Sequence, residues 1–454
     1  MTAFERGTNV HLVGVGGAGM SGLARLLFEM GCVVSGSDSA NSPTLDELRT
    51  MGVRVAIGHN PHHVASADVV SWSPAVALDN VELVAARERH ATLFSRGDLL
   101  AHLASHQPVI GLTGTHGKTT ATSMMAHVLL AAGRDDSRLL GAPVPGVGAN
   151  GHWGSEALLM EVDESYGTFA HLVPHALGLL NVEPDHLDHY GTLEALEAAF
   201  AQLVSRTTGP VVLWNDDAGA QRVRARALRE VTTVGATSSS QWRVSGITLA
   251  RREASFTLTG PGHELSLTLR VTGAHNVANA SVVAVLALAL AIDGDSVRDG
   301  LASFRGAPRR FQFLGSWRGV DVYEDYAHLP GEIVATLTGA RAAGYERITA
   351  VFQPHRVTRT QHLASSFATA FADATNVVIS DIYTAGEANP QGLTGATVAR
   401  GVERAHPTGC CVYAATFADV LDSLESLHDD SDLIVLLGAG DIATVATQLR
   451  GGLD

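Results

Sequence analysis

The stretch Gly114-Thr115-His116-Gly117-Lys118-Thr119-Thr120 stands between an apolar run, Pro108 to Leu112, and an apolar helical pattern, Ala121 to Ala132. Lys118 is the single lysine of the chain; the other 30 of its 31 basic residues are arginine. A glycine-rich turn from strand to helix aims backbone N–H groups and a helix N-terminus at a phosphate, and a flexible ammonium reaches the next phosphate out. The usual P-loop pattern G-x-x-x-x-G-K-[ST] asks for glycine where Leu112 stands. A plain strand–turn–helix corner accounts for Gly114 and Gly117 but not for Lys-Thr-Thr at the helix start. The stretch therefore predicts an α/β domain that handles a nucleoside triphosphate.

At 454 residues the chain exceeds one ordinary core and predicts two to three domains. With 46% hydrophobic and 17% charged residues, it has a globular composition with little room for disorder. A net charge of −15 without a basic run excludes a nucleic-acid surface, but local arginines can still bind small polyanions. Cys32, Cys410 and Cys411 are too few and too badly spaced for a disulfide framework or a zinc site, which fits a reducing cytoplasm. The chain runs into the strand Asn9 to Val13 with no signal peptide, and its longest apolar run, Val282 to Ile292, is too short to span a bilayer. A soluble, cytoplasmic protein is expected.

Outward from the Lys118 turn, the α/β rhythm starts three times. Val10–Gly14, a helix Gly19 to Met30, Cys32–Gly36 leading to Asp38, Val53–Ile57 and Ala67–Ser71 make a parallel, doubly wound pattern over residues 1–106. Residues 107–306 hold the phosphate strand and further strands at Leu158–Val162, Ala176–Asn181 and Pro210–Asn215. An alternating stretch around Gly260-Pro261-Gly262 reads as an antiparallel hairpin, and an apolar helix follows from Val277 to Ile292. Residues 307–454 restart with strands at Val320–Tyr323, Ile348–Phe352, Val377–Ile379, Cys411–Tyr413 and Leu433–Leu437, and Pro308 marks the hinge. Three α/β domains are expected: Rossmann-like at each end, with a P-loop-type mixed sheet between them.

Gly14-Val15-Gly16-Gly17-Ala18-Gly19 is a G-x-G-x-x-G after a strand, with Asp38 about 20 residues on. Alone it reads as an NAD-dependent dehydrogenase, as another nucleotide-diphosphate site, or as tight helix–sheet packing. In the second segment Glu161-Val162-Asp163-Glu164-Ser165 and Asn181-Val182-Glu183-Pro184-Asp185-His186-Leu187-Asp188 end two strands, where ligands of α/β sheets sit. Mg²⁺ prefers oxygen ligands beside substrate phosphates, and Thr119 and Glu161 offer them; His186 is a softer candidate for a second ion. Glu183 and Asp188 read better as solvated loop or cap residues. Asn276 reads as a helix cap or an adenine contact, and Arg309-Arg310-Phe311 at the hinge suits a phosphate. In the third segment Glu324-Asp325-Tyr326-Ala327-His328 and Gln353-Pro354-His355-Arg356-Val357-Thr358-Arg359 put two arginines and two histidines on neighbouring strand ends, a carboxylate site.

Taken in order, Gly16 to Gly22, Gly114 to Thr120, Asp163-Glu164-Ser165, Asp185 to Asp188, His275 to Asn279, Arg309 to Gln312 and Gln353 to Thr360 resemble the Mur ligases over essentially the whole chain. The resemblance implies a UDP-substrate domain (1–106), an ATP domain (107–306) and an amino-acid-presenting domain (307–454). It implies ATP-dependent ligation of L-alanine to the lactyl carboxylate of UDP-N-acetylmuramate through an acyl phosphate, in peptidoglycan precursor synthesis. Gly16, Gly17, Gly19, Met20, Ser21 and Asp38 would then hold the UDP moiety, which displaces the dehydrogenase reading. Gly114, Thr115, Gly117, Lys118, Thr119 and Thr120 would cradle the ATP phosphates. Thr119 and Glu161 would ligate one Mg²⁺ and His186 a second. Asn276 would meet adenine, Arg310 a phosphate and Asp325 the ATP ribose, while His328, Arg356 and Arg359 would place the amino acid. No nucleic-acid or membrane partner is implied, and the protein would be a monomer or homodimer. Glu324, Leu329, Val162 and Tyr166 depart from the family pattern, and Leu329 and Tyr166 border the substrate sites. Within the family, Ser165 and Asn181 to Asp188 favour the L-alanine reaction over attachment of a recycled tripeptide. A nucleotide-binding regulator without catalysis would have no need of Glu161 and His186.

Overall fold

The computed structural model of the chain describes residues 4–405, 410–449 and 452–454, and its strands form three sheets. The first sheet has five parallel strands, in the spatial order Arg54–Ile57, Val33–Asp38, Asn9–Val13, Val69–Trp72 and Thr92–Ser95. Its middle strand is buried from Val10 to Val13, as expected of a strand covered on both faces. The sequence reading overlooks the last strand, Thr92–Ser95. It lies at the sheet edge and none of its four residues is fully buried, so it lacks an apolar signature.

The second sheet has ten strands: His263–Leu269, Glu253–Gly260, Trp242–Ala250, Thr232–Gly235, Val211–Trp214, Ala176–Leu179, Val109–Thr113, Leu158–Glu161, Ser137–Leu139 and Gly151–His152. The predicted hairpin is a three-stranded meander with two-residue connections, and Ala254, Phe256 and Leu258 alternate into the core. The apolar helix runs over Ala274–Ala289. The third sheet orders Gln312–Trp317, Val320–Asp325, Leu433–Leu437, Ile348–Phe352, Asn376–Ser380 and Cys410–Ala414, with only the first strand antiparallel.

The first two sheets belong to one compact unit, comprising the described residues up to Ile247 with Ser255–Leu269 and His275–Phe304. The second unit gathers Thr248–Ala254, Arg270–Ala274 and the described residues from Arg305 onward, so the main boundary falls just before Pro308. The first two sheets join through the helix Ala18–Glu29, where Gly22 and Gly151 leave no room for a side chain between them. Among the described residues no helix is long and apolar enough to cross a membrane.

One buried charge organises the carboxyl edge of the first sheet. Glu82 is fully buried at the start of the helix Val81–Glu88. It accepts from Ser37 Oγ at 2.5 Å and the Asn60 amide at 3.2 Å, and meets His59 Nδ1 at 3.0 Å and His63 Nδ1 at 2.6 Å. Burial pushes this carboxyl up, but the histidines and Ser37 outweigh it and hold the group far below its ordinary value. A carboxylate with a depressed folded-state pKa stabilises the fold above its unfolded value, about 4.3, and loses that contribution as pH falls. Glu82→Gln is therefore expected to lower unfolding free energy at pH 7 by about 1.5–3 kcal/mol. In denaturant titrations the gap to the parent protein should narrow below about pH 4; a gap independent of pH would refute the assignment.

Candidate active site

The glycine turn after Asn9–Val13 is tied to the neighbouring strand. Gly14, at φ +79°, and Val15 donate their amides to the Ser37 carbonyl at 2.8 and 3.0 Å. The Gly16 amide donates to Asp38 Oδ2 at 2.8 Å, and a Cβ at Gly16 would stand 2.9 Å from that oxygen. Asp38 thus shapes the turn that it was expected to accompany. Met20 and Ser21 follow it, their amides donating to the Gly17 carbonyl at 3.0 and 2.8 Å. The Met20 side chain lies in the core, and buried Ser21 donates to the Ala18 carbonyl and accepts from Asn150 Nδ2 at 3.1 Å.

The Lys118 turn leaves the strand Val109–Thr113, flanked by Ala176–Leu179 and Leu158–Glu161. This order brings the two acid-bearing strand ends to either side of the turn. Gly114 and Gly117 take φ of +140° and +84°, which side chains rarely adopt. The His116 amide donates to Asn181 Oδ1 at 2.7 Å, Asn181 Nδ2 returns a bond to the His116 carbonyl, and the Glu183 amide donates to Thr115 Oγ1 at 2.9 Å. Lys118 Nζ donates to the Gly114 carbonyl at 2.9 Å and to both oxygens of Glu164, at 2.8 and 2.7 Å; Asp163 Oδ1 lies 3.5 Å away. From the sequence alone Glu164 carries no assigned role. The signal was its place one residue beyond Asp163 at a strand end, yet spacing alone does not show which acid turns inward.

Thr119 Oγ1 donates to Glu161 Oε2 at 3.2 Å, and the Gly141 amide donates to Glu161 Oε1 at 2.9 Å. Burial raises the Glu161 carboxyl against these donors and the nearby ammonium. A half-buried carboxylate beside a hydroxyl is an oxygen pair suited to a hard divalent cation. His186, at φ +51°, has Nε2 4.0 Å from Glu164 Oε1, and Glu164, Asp185 and His186 offer ligand atoms within 4.8 Å of one another. Thr120 is buried. Asn276 sits inside the first turn of its helix, not at the cap, and Asn279 closes on Gly117, where a Cβ would stand 2.8 Å from Oδ1. The side chains of Tyr166 and Asp188 lie outside the described residues.

The second unit holds the remaining candidates. Asp325 accepts from the amides of Phe311 and Ala327, each at 2.7 Å, and burial pushes its carboxyl up to about 6. Each Asp325 oxygen already takes one backbone donor, so this residue shapes the Arg309–Phe311 turn. Arg309 donates to the Gly438 and Gly440 carbonyls, and Arg310 is exposed over the Tyr326 ring. The strands leading to His328 and His355 are not neighbours as expected: Leu433–Leu437 lies between them and ends in Gly438-Ala439-Gly440-Asp441, which the sequence reading passed over. Gln353 spans that gap, donating to Asp441 Oδ1 at 2.8 Å and accepting from the Asp441 and Ile442 amides.

Even so, the expected cluster forms. The His328 and His355 rings meet edge-on at 6.0 Å, His355 stacks on Tyr383, and Arg359 Nη1 donates to His355 Nδ1 at 3.2 Å. Burial, with Arg359, His328 and Arg356 beside it, pushes His355 down to about 4, so its imidazole is neutral and accepts. Arg356 is exposed, at φ +68°, with Glu387 4.0 Å away. Leu329 is exposed at the start of the helix Pro330–Ala342, next to His328.

Three family models match in succession: "Mur ligase family, catalytic domain" at residues 9–108, "Mur ligase middle domain" at 112–287 and "Mur ligase, glutamate ligase domain" at 309–440. The chain is 40% identical over 449 residues to the UDP-N-acetylmuramate–L-alanine ligase of Clavibacter sepedonicus, covering 98% of this chain and 93% of that one. It is 42% identical over 451 residues to the ligase of the same name from Kineococcus radiotolerans, covering 97% and 95%. The crystal structure of the UDP-N-acetylmuramate–alanine ligase from Thermotoga maritima superposes with a TM-score of 0.82 at 28% identity, covering 97% of this chain and 98% of that one. A murein peptide ligase from Psychrobacter arcticus shares the fold at a TM-score of 0.68 and 24% identity, covering 98% of each chain. On these matches, and with a phosphate turn bracketed by two acid-bearing strand ends, the chain belongs to the Mur ligase family.

Proposed function

We propose that this protein joins L-alanine to the lactyl carboxylate of UDP-N-acetylmuramate at the expense of ATP, releasing ADP and phosphate. The observation that carries the reading is full-length identity of about 40% to ligases named for that reaction. The arrangement of Lys118 supports it: the ammonium sits at the mouth of a glycine turn, where a triphosphate would lie.

A carboxylate resists attack by an amine, so its oxygen first takes the γ-phosphoryl group. The amine then displaces phosphate through a tetrahedral intermediate and leaves an amide. Charge accumulates on the transferring phosphoryl group, so the protein contributes mainly by positioning and electrostatics. In this reading Lys118 moves between Glu164 and the β- and γ-phosphates. The backbone amides of the Gly114–Thr120 turn orient the chain of phosphates, and Arg310 adds a further cation. Thr119 and Glu161 fit a first Mg²⁺ and His186, with Glu164 and Asp185, a second. When bound, Mg²⁺ screens the negative charge of the phosphate oxygens. Arg356 and Arg359 suit the carboxylate of the amino acid, and neutral His355 fixes Arg359 in place. Asn276 is assigned to adenine and Asp325 to the ATP ribose. Gly16, Gly17 and Gly19 are assigned to the UDP diphosphate. The protein works in the cytoplasm, as a monomer or homodimer, within domains at 1–106, 107–306 and 307–454.

Phosphate release with ATP, Mg²⁺ and UDP-N-acetylmuramate should be strongest with L-alanine among glycine, L-serine and the recycling tripeptide; strongest release with the tripeptide would overturn the reading. Lys118→Ala is expected to abolish turnover and to lower stability by leaving buried Glu164 unpaired; ordinary turnover in the folded, purified variant would remove the phosphate assignment. Glu164→Gln should lower kcat more than it raises the KM for L-alanine, because it alters the ammonium's resting partner and the second cation site together. Arg356→Ala should raise the KM for L-alanine far more than that for ATP; equal rises would count against a carboxylate role.

A further inference from the structure

Arg96 opens the helix Arg96–Ala104, directly after the edge strand Thr92–Ser95 of the first sheet. Ser95 caps that helix, its Oγ accepting from the Asp98 amide at 3.1 Å, which fixes the point from which the arginine departs. The guanidinium crosses the glycine turn. A Cβ at Gly19 would stand 2.5 Å from Nη2, 2.8 Å from Cζ and 3.0 Å from Nε of Arg96. The Arg96 guanidinium thus occupies the space that a side chain at Gly19 would take, a contact that the G-x-G-x-x-G pattern does not disclose.

Two features of this corner ask for an anion. The Arg96 Nε is buried without a hydrogen-bond partner among the described residues, a costly state for a charged donor. The helix Ala18–Glu29 begins beside it at Gly17, which has no side chain to cap the first-turn amides. The opposite end of the corner lies toward the Lys118 site. There burial pushes the Asp163 carboxyl up, but Lys118, Ser165 and Arg96 together hold it below its ordinary value.

We propose that Arg96 is the side-chain cation that grips the diphosphate of the UDP-linked substrate, completing the site begun by the glycine turn. The proposal rests on the reading of that turn as the diphosphate site. A guanidinium offers paired donors matched to phosphate oxygens, and the uncapped helix start offers amides to the same group.

The test is calorimetric titration of the full chain with UDP and with UDP-N-acetylmuramate, for the parent protein, Arg96→Lys and Arg96→Gln. Arg96→Gln should weaken both ligands by about 10- to 100-fold, the range for losing a hydrogen bond to a charged group. Arg96→Lys should weaken them less, since it keeps the charge but not the fork, and the KM for ATP should not move. Unchanged affinity for both ligands would overturn the proposal. A loss confined to UDP-N-acetylmuramate would also overturn it, by moving the guanidinium to the carboxylate end. Failure of the parent protein to bind UDP while binding ATP would instead sink the diphosphate reading of the turn itself, and this proposal with it. Thermal melts of both variants separate lost binding from lost folding.

Discussion

The ion pair between Lys118 and Glu164 is the interaction on which the central site depends. Glu164 is fully buried, and both of its oxygens lie on the ammonium. Burial raises this carboxyl, and Lys118 opposes the rise. Removing the ammonium would leave a desolvated carboxylate without compensation, which is the expensive way to break a buried pair. His186 Nε2 stands 4.0 Å from the same carboxylate. Tyr190 steadies the arrangement from behind, its hydroxyl donating to the Glu164 carbonyl at 2.7 Å.

The same device recurs at the carboxyl ends of all three sheets. A side chain at one strand end holds the backbone amides of a neighbouring turn. Asp38 holds Gly16, Asn181 holds His116, Asp325 holds Phe311, and Gln353 holds Asp441 and Ile442. Each bond satisfies a backbone donor that no ladder partner reaches, so the turns are built and not merely permitted. Some of the strained backbone lies at these strand ends, where His186, Arg309, Phe311 and Arg356 take positive φ without being glycine; His90, Ala291, Arg318 and Ala385 do so elsewhere.

Much of this was legible in residue order. Parallel strands buried on both faces write themselves as apolar runs, so the buried strands Asn9–Val13, Val109–Thr113 and Ile348–Phe352 fell close to where they were expected. Short edge strands such as Thr92–Ser95 carry no such mark, and neither do Ser137–Leu139 and Gly151–His152. The cluster of His328, His355, Arg356 and Arg359 was also foreseeable, because each residue follows an apolar strand. Its spacing was not, because Leu433–Leu437, about 80 residues further along the chain, inserts between the two strands that bear it.

Residue identity sets the chemistry available: one lysine in a glycine-rich turn, acids and histidines at strand ends, and glycines where the backbone must turn left-handed. These are local demands, and local residue choice meets them. Only the tertiary structure decided which of those groups face one another. Strand order set Glu161 and Asn181 on either side of the Lys118 turn, and packing turned Glu164 inward. Helix docking buried the side chains of Met20 and Ser21 and laid Arg96 across Gly19. Such pairings join residues tens of positions apart, and they are fixed by how sheets stack and which faces they bury, which no short motif records.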